Sequence, residues 1–101
     1  MYDAILIYSK AVSSSVIDIE VPVFVDIVDV YGQEFYLSYQ SGINVTMAFE
    51  VNKYDFEETK HIEQDTNKIL YAAEILYEGA KYNIVRHQQI KDSDKILIIC
   101  S

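Results

Sequence analysis

From Ile17 to Ile27 the odd positions are all apolar: Ile17, Ile19, Val21, Val23, Val25 and Ile27. The even positions include Asp18, Glu20, Pro22 and Asp26. A period of two puts alternate side chains on opposite faces, so this stretch predicts a β-strand with one buried face. Pro22 has no N–H to give to a ladder, so its N–H side is expected at an edge or a bulge. Residues 3–9 form a second apolar run, and the serines at 13–15 read as the turn between the two. Alternation resumes at Val45, Met47, Phe49 and Val51, with Thr46, Glu50 and Asn52 opposite. Its parity slips near Lys53, where a bulge or strand end is expected. Glu78-Gly79-Ala80 reads as a hairpin turn joining residues 73–78 to the returning strand 81–90, with Gly79 as the turn-forming residue. A turn at 91–94 leads to a last strand, residues 95–100. Residues 57–70 are polar and rich in helix formers, and read as a long loop or a short helix.

The expected fold is therefore all-β. It is a single domain over residues 1–101: a small β-barrel or sandwich of about six strands, with long loops and room for one short helix. No run approaches the roughly 20 apolar residues of a membrane-spanning helix. Asp3 and the absence of a basic lead-in argue against a secretory leader. A single cysteine, Cys100, cannot form an internal disulfide, which fits synthesis and folding in a reducing cytoplasm.

The net charge of −8 is unevenly placed. Residues 1–59 hold ten acids and two lysines, which gives −8, and residues 60–101 hold six acids and six bases, which gives zero. Such a surface disfavours phosphate binding, which depends on clustered Lys and Arg. It suits either simple solubility or a wall that DNA passes without sticking.

No catalytic, cofactor or metal site is expected. A metal site needs roughly three or four ligands at suitable spacing. His61 and His87 stand apart, with no Cys-x-x-Cys and no His-x-x-x-His. Asp55, Glu57 and Glu58 lack the alternating oxygen ligands and turn glycine of a calcium loop. Three glycines leave no room for a phosphate-binding loop. Cys100 reads as a small buried hydrophobe. Arg86, the lone arginine, reads as a strand-end residue or as a carboxylate partner across a subunit boundary.

Residues 31–43 interrupt the alternation between Gly32 and Gly42. They carry more apolar surface than a solvated loop tolerates, with Glu34 as their only charge. Tyr31, Glu34, Phe35, Tyr36, Tyr39 and Gln40 are expected to make subunit or channel contacts. The competing expectation is that the segment caps its own barrel.

Two stretches resemble a known family. One is Glu34-Phe35-Tyr36, then Gln40-Ser41-Gly42, then Ala48-Phe49-Glu50-Val51. The other runs from Leu76 through Tyr77, Gly79, Tyr82, Ile84 and Arg86 to Lys95-Ile96-Leu97-Ile98-Ile99-Cys100. Together they resemble the head-closure, or stopper, proteins of phages with long non-contractile tails. The likeness covers about residues 34–56 and 75–101. It departs at Ile43-Asn44-Val45, where that family usually carries proline and lysine, and at residues 57–72, which are longer than the usual link. The resemblance implies a homo-oligomeric ring in the virion neck, between a portal-bound adaptor protein and the tail-completion or tail-terminator protein. Such a ring retains packaged double-stranded DNA and lets it pass without sequence-specific binding, with no membrane involved. The alternatives are a tail-completion or tail-terminator protein of the same neck, a small ligand-binding or enzymatic β-barrel, and a module that inhibits a host factor.

Overall fold

A computed structural model describes residues 3–12, 14–28, 46–63 and 65–101. The expected contact residues at positions 31–40 lie outside them.

The fold is all-β. Strands β1 (Ala4–Val12), β2 (Ser15–Val23), β3 (Val25–Val28), β4 (Met47–Asn52), β7 (Glu74–Tyr77), β8 (Ala80–Gln89) and β9 (Lys95–Cys100) form one antiparallel sheet in the order β2-β1-β7-β8-β9-β4-β3. Strands β5 (His61–Ile62) and β6 (Ile69–Leu70) form a separate two-stranded ribbon, here termed the arm. A short helix, α1 (Lys53–Glu57), follows β4. The parity slip at Lys53 is this strand-to-helix change. Asn52 caps the helix, its side-chain oxygen accepting from the Tyr54 N–H at 2.8 Å. The helix buries Phe56.

The sheet is not closed as a barrel, which corrects that part of the expectation. Its two edges, β2 and β3, are consecutive in the chain with only Phe24 between them. The single strand expected over 17–27 is thus split, and its halves pair with opposite ends of the sheet. Pieces joined end to end cannot also lie side by side to share a ladder. Asp3 pins the junction: its N–H donates to the Val23 carbonyl at 3.1 Å, and its carboxylate accepts from the Val25 N–H at 3.4 Å. Pro22 lies in edge strand β2, opposite Ile5. The residues that bond β1 are the odd ones, so the missing N–H of Pro22 faces the open side and costs no ladder bond.

One face of the sheet encloses the core, centred on Leu6, Val23, Phe49, Val51, Ile75 and Ile98, all fully buried. The alternating residues of β2 and β3 are buried most deeply at the junction. Val23 is fully covered, whereas Ile17 and Ile27, at the far ends, are 46% and 51% exposed. At the β7–β8 turn Glu78 and Gly79 both have positive φ, +49° and +80°. Two successive left-handed residues make the tight hairpin turn that matches strand twist, and glycine adopts that conformation without strain. Tyr77 and Tyr82 are offset in register, Tyr82 lying opposite Ile75. Both still pack edge-on against Phe49, at 5.2 and 6.1 Å between ring centres.

Candidate functional site

Strand β7 has four residues, while its neighbours β1 and β8 have nine and ten. The three run together only from the Gly79 turn to Glu74. Beyond Glu74 the chain leaves the sheet: Ala73 still bonds Ile7 and Ile84, and the Ala72 N–H then turns to the Thr59 hydroxyl at 2.9 Å. From there, among the described residues, no strand lies between β1 and β8. The missing extension of β7 leaves a slot between them. A cavity of about 380 Å³ occupies this place. A second hollow of about 210 Å³ shares Ser9, His61 and Leu70 with it.

The arm borders the slot. His61 and Leu70 are paired on one of its faces, and Ile62 and Ile69 on the other. The Ile62 and Ile69 side chains are 65% and 55% exposed. A two-residue ribbon cannot hold itself, and Thr59 anchors it. Fully buried, Thr59 donates its hydroxyl to the Phe56 carbonyl at 2.7 Å while accepting from Ala72. This bond ties the two roots of the arm together. The His61 ring stacks on Tyr8 at 4.5 Å, and its Nδ1–H donates to the Thr59 carbonyl at 2.8 Å. A carbonyl only accepts, so the proton sits on Nδ1.

The opposite wall is β8 after a bulge. The register of β8 against β9 shifts between Ile84 and Arg86, leaving Val85 unpaired. The shift sets His87 opposite Ile98, on the core side, against Phe56 at 4.8 Å and Tyr71 at 5.0 Å. Phe56 and Tyr71 stack on each other at 5.1 Å. Contact with these rings strips water from part of the exposed His87 ring and pushes its imidazole below its ordinary pKa.

The structure thus brings both histidines to one cleft, with Arg86 at its margin. Gly79 lies at the opposite end of β7. Cys100 is fully buried in β9 opposite Met47, and burial pushes its thiol up to about 12. That thiol is a poor nucleophile at neutral pH. The Ser9 hydroxyl donates to Asp18 at 2.9 Å. Among the described residues no three His, Cys, Asp or Glu side chains gather as metal ligands.

Sequence reasoning did not reach Thr59, the arm or the slot. The signal for the slot is in the sequence: Ile84-Val85 puts two apolar residues side by side where Tyr82 and Ile84 had alternated. Two adjacent apolar residues inside an alternating strand mark a bulge, and bulges border sites. Comparison with protein-family profiles, with curated proteins and with solved structures finds no match.

Proposed function

We propose that this chain is a structural assembly subunit, a ring-forming head-closure protein of the phage neck that joins a portal-bound adaptor to the tail and retains packaged DNA. The observation that carries the assembly reading is the open sheet. Both of its edges expose apolar side chains: Val16 and Ile17 on β2 are 72% and 46% exposed, and Ile27 on β3 is 51% exposed. Open edges with apolar side chains are liabilities in an isolated chain and assets in a repeating assembly. Since β2 and β3 are different strands, a contact between them joins unlike surfaces of neighbouring copies. Contacts of that kind close into rings when the rotation allows. The neck assignment itself rests on the residues Glu34–Val51 and Leu76–Cys100. The acidic charge supports a channel wall that repels phosphate. On this reading the partners are further copies of the chain, the adaptor, and a tail-completion or tail-terminator protein, and the location is the virion neck.

The test is light scattering and electron microscopy of the purified chain, alone and mixed with portal–adaptor complex. Rings are expected, and Ile17→Lys combined with Ile27→Lys is expected to abolish them while leaving the far-ultraviolet spectrum intact. A chain that stays monomeric in both settings would overturn the reading. A second arm replaces Phe35 and Tyr36 by Ser, which is expected to lower ring yield with the monomer's melting temperature retained.

A further inference from the structure

Past the end of β7 the β1–β2 hairpin stands apart. Strand β7 pairs with β1 only as far as Ile7, so Tyr8–Val12 and Ser15–Ile19 form ladders, among the described residues, only with each other. Residues 9–11 and 14–18 are all exposed. The Ile7 carbonyl accepts from the Ala73 N–H, on the β7 side, at 3.0 Å. Backbone groups alternate sides along an antiparallel strand, so Leu6, Tyr8 and Lys10 bond β2 through Val21, Ile19 and Ile17. The residues between these, Val16, Asp18 and Glu20, aim their N–H and C=O groups away from β1, and Pro22 offers a carbonyl alone. Among the described residues no strand pairs with this edge. An open edge is ordinarily blunted by a bulge, by lysine or by a central proline. Over Ser15–Val21 β2 has none of these. Its register on β1 is unbroken, its core face carries Ile17, Ile19 and Val21, and Pro22 stands near its far end.

We propose that this edge joins the β2 edge of a second copy, antiparallel about a two-fold axis at Ile17, so that the two hairpins make one continuous sheet. The side chains choose both the occupant and the register. In-phase pairing keeps the core faces of both copies on one side, and a slip of one residue flips them. With Asp18 at the axis the two Asp18 carboxylates face each other directly, and with Ile19 there each Asp18 faces Glu20. Like charges directly opposite are destabilising. With Ile17 at the axis Asp18 faces Val16, Glu20 faces Ser14 and Ile17 faces its own copy. Val16 and Ile17, 72% and 46% exposed in the single chain, are then both covered. The two Asp18 side chains lie on a diagonal, about 7–8 Å apart, and each keeps the Ser9 hydroxyl that donates to it at 2.9 Å. Centring on Val16 also separates the acids, but it sets Ile17 against Ser15 and draws fewer residues into the ladder. The dimer stands independently of the neck assignment. The ring contact uses the same edge, so on that reading the dimer keeps β2 covered until the ring takes it.

The test is sedimentation of the full chain over a concentration series, with cysteine cross-linking to read the register. A concentration-dependent dimer is expected. Among Val16→Cys, Ile17→Cys, Asp18→Cys and Ile19→Cys, the Ile17→Cys chain is expected to cross-link fastest in a glutathione buffer. Non-bonded partners across an antiparallel pair sit about 4.5 Å apart, within disulfide reach. Val16→Pro is expected to weaken the dimer about tenfold or more, by removing an outward N–H from each copy. That N–H serves no ladder bond within the chain, so the dilute monomer is expected to keep its melting temperature. Should the melting temperature fall, Ile17→Lys serves the same end, because it sets two cations against each other at the axis from an exposed position. A chain that stays monomeric up to about 1 mM, a dimer indifferent to both variants, or fastest cross-linking at a position other than 17 would each overturn the proposal. Ile27→Lys separates the dimer from the ring, since it is expected to stop rings and leave the dimer intact. Dimers without rings sink only the assembly reading, and rings built from monomers with no dimer sink this inference alone.

Discussion

Strand β8 is two structures in one. From Ala80 to Ile84 it lies between β7 and β9, and its inward side chains, Tyr82 and Ile84, pack on the core. From Val85 to Gln89 it pairs, among the described residues, with β9 alone, every residue is exposed, and its inward positions are His87 and Gln89. The difference comes from a neighbour: β7 is four residues long, and its end exposes half of β8. A strand's sequence specifies its own alternation but not where the strand beside it stops. The closed half packs the core, and the open half borders the cleft.

The two halves are expected to respond unequally to substitution. The largest effect is expected at Phe49, the fully buried ring against which Tyr77 and Tyr82 both lean. Phe49→Ala is expected to cost about 3–5 kcal/mol, read by urea unfolding, a loss comparable with the whole stability of a small domain. A smaller loss would mean that the closed half is not the scaffold.

Next comes Thr59, which holds the arm over the open half. Thr59→Val keeps the shape but leaves the buried Ala72 N–H without its acceptor, an expected loss of about 2–3 kcal/mol. Thr59→Ser, which keeps the oxygen, is expected to recover most of it. Hydrogen exchange sharpens the point: residues 61–71 should lose protection before β4 and β9 do. Simultaneous loss everywhere would make the arm part of the scaffold.

At the turn that starts the closed half, Gly79→Ala is expected to cost about 1–2 kcal/mol through backbone strain alone. A Cβ built there meets nothing within 4 Å, so no steric term is added. Asn, which tolerates positive φ better, should cost less than Ala.

The all-β class, the β7–β8 hairpin and the final strand are legible in the sequence, because each depends on local alternation and turn chemistry. The split of the 17–27 strand is not. Nothing at Phe24 announces that residues before it pair with β1 and residues after it with β4, since that choice depends on which strands are available across the molecule. The site is harder still. Thr59 stands in a polar run that looks solvated, and its burial arises from the meeting of Phe56 and Ala72 in space. His61 and His87 are separated by 25 positions of ordinary sequence, and only the short β7 brings them to one cleft.

The smallest effect concerns His87, and its sign distinguishes two views of the open half. Partial desolvation against Phe56 and Tyr71 lowers the pKa of the exposed His87 below its ordinary 6.5. Above that value the imidazole is neutral in the folded and unfolded chains alike, and its contribution to stability is fully present. As the pH falls below it, the unfolded chain takes up a proton that the folded chain resists, so stability is lost through the folded pKa and then levels off. Wild type should therefore lose more stability than His87→Gln between about pH 7 and about pH 5, with the carboxylates common to both cancelling in the difference. The opposite sign has a physical meaning. The faces of Phe56 and Tyr71 attract a cation, and if that attraction outweighed desolvation, wild type would lose less than the variant on acidification. That result would make the open half a cage for positive charge.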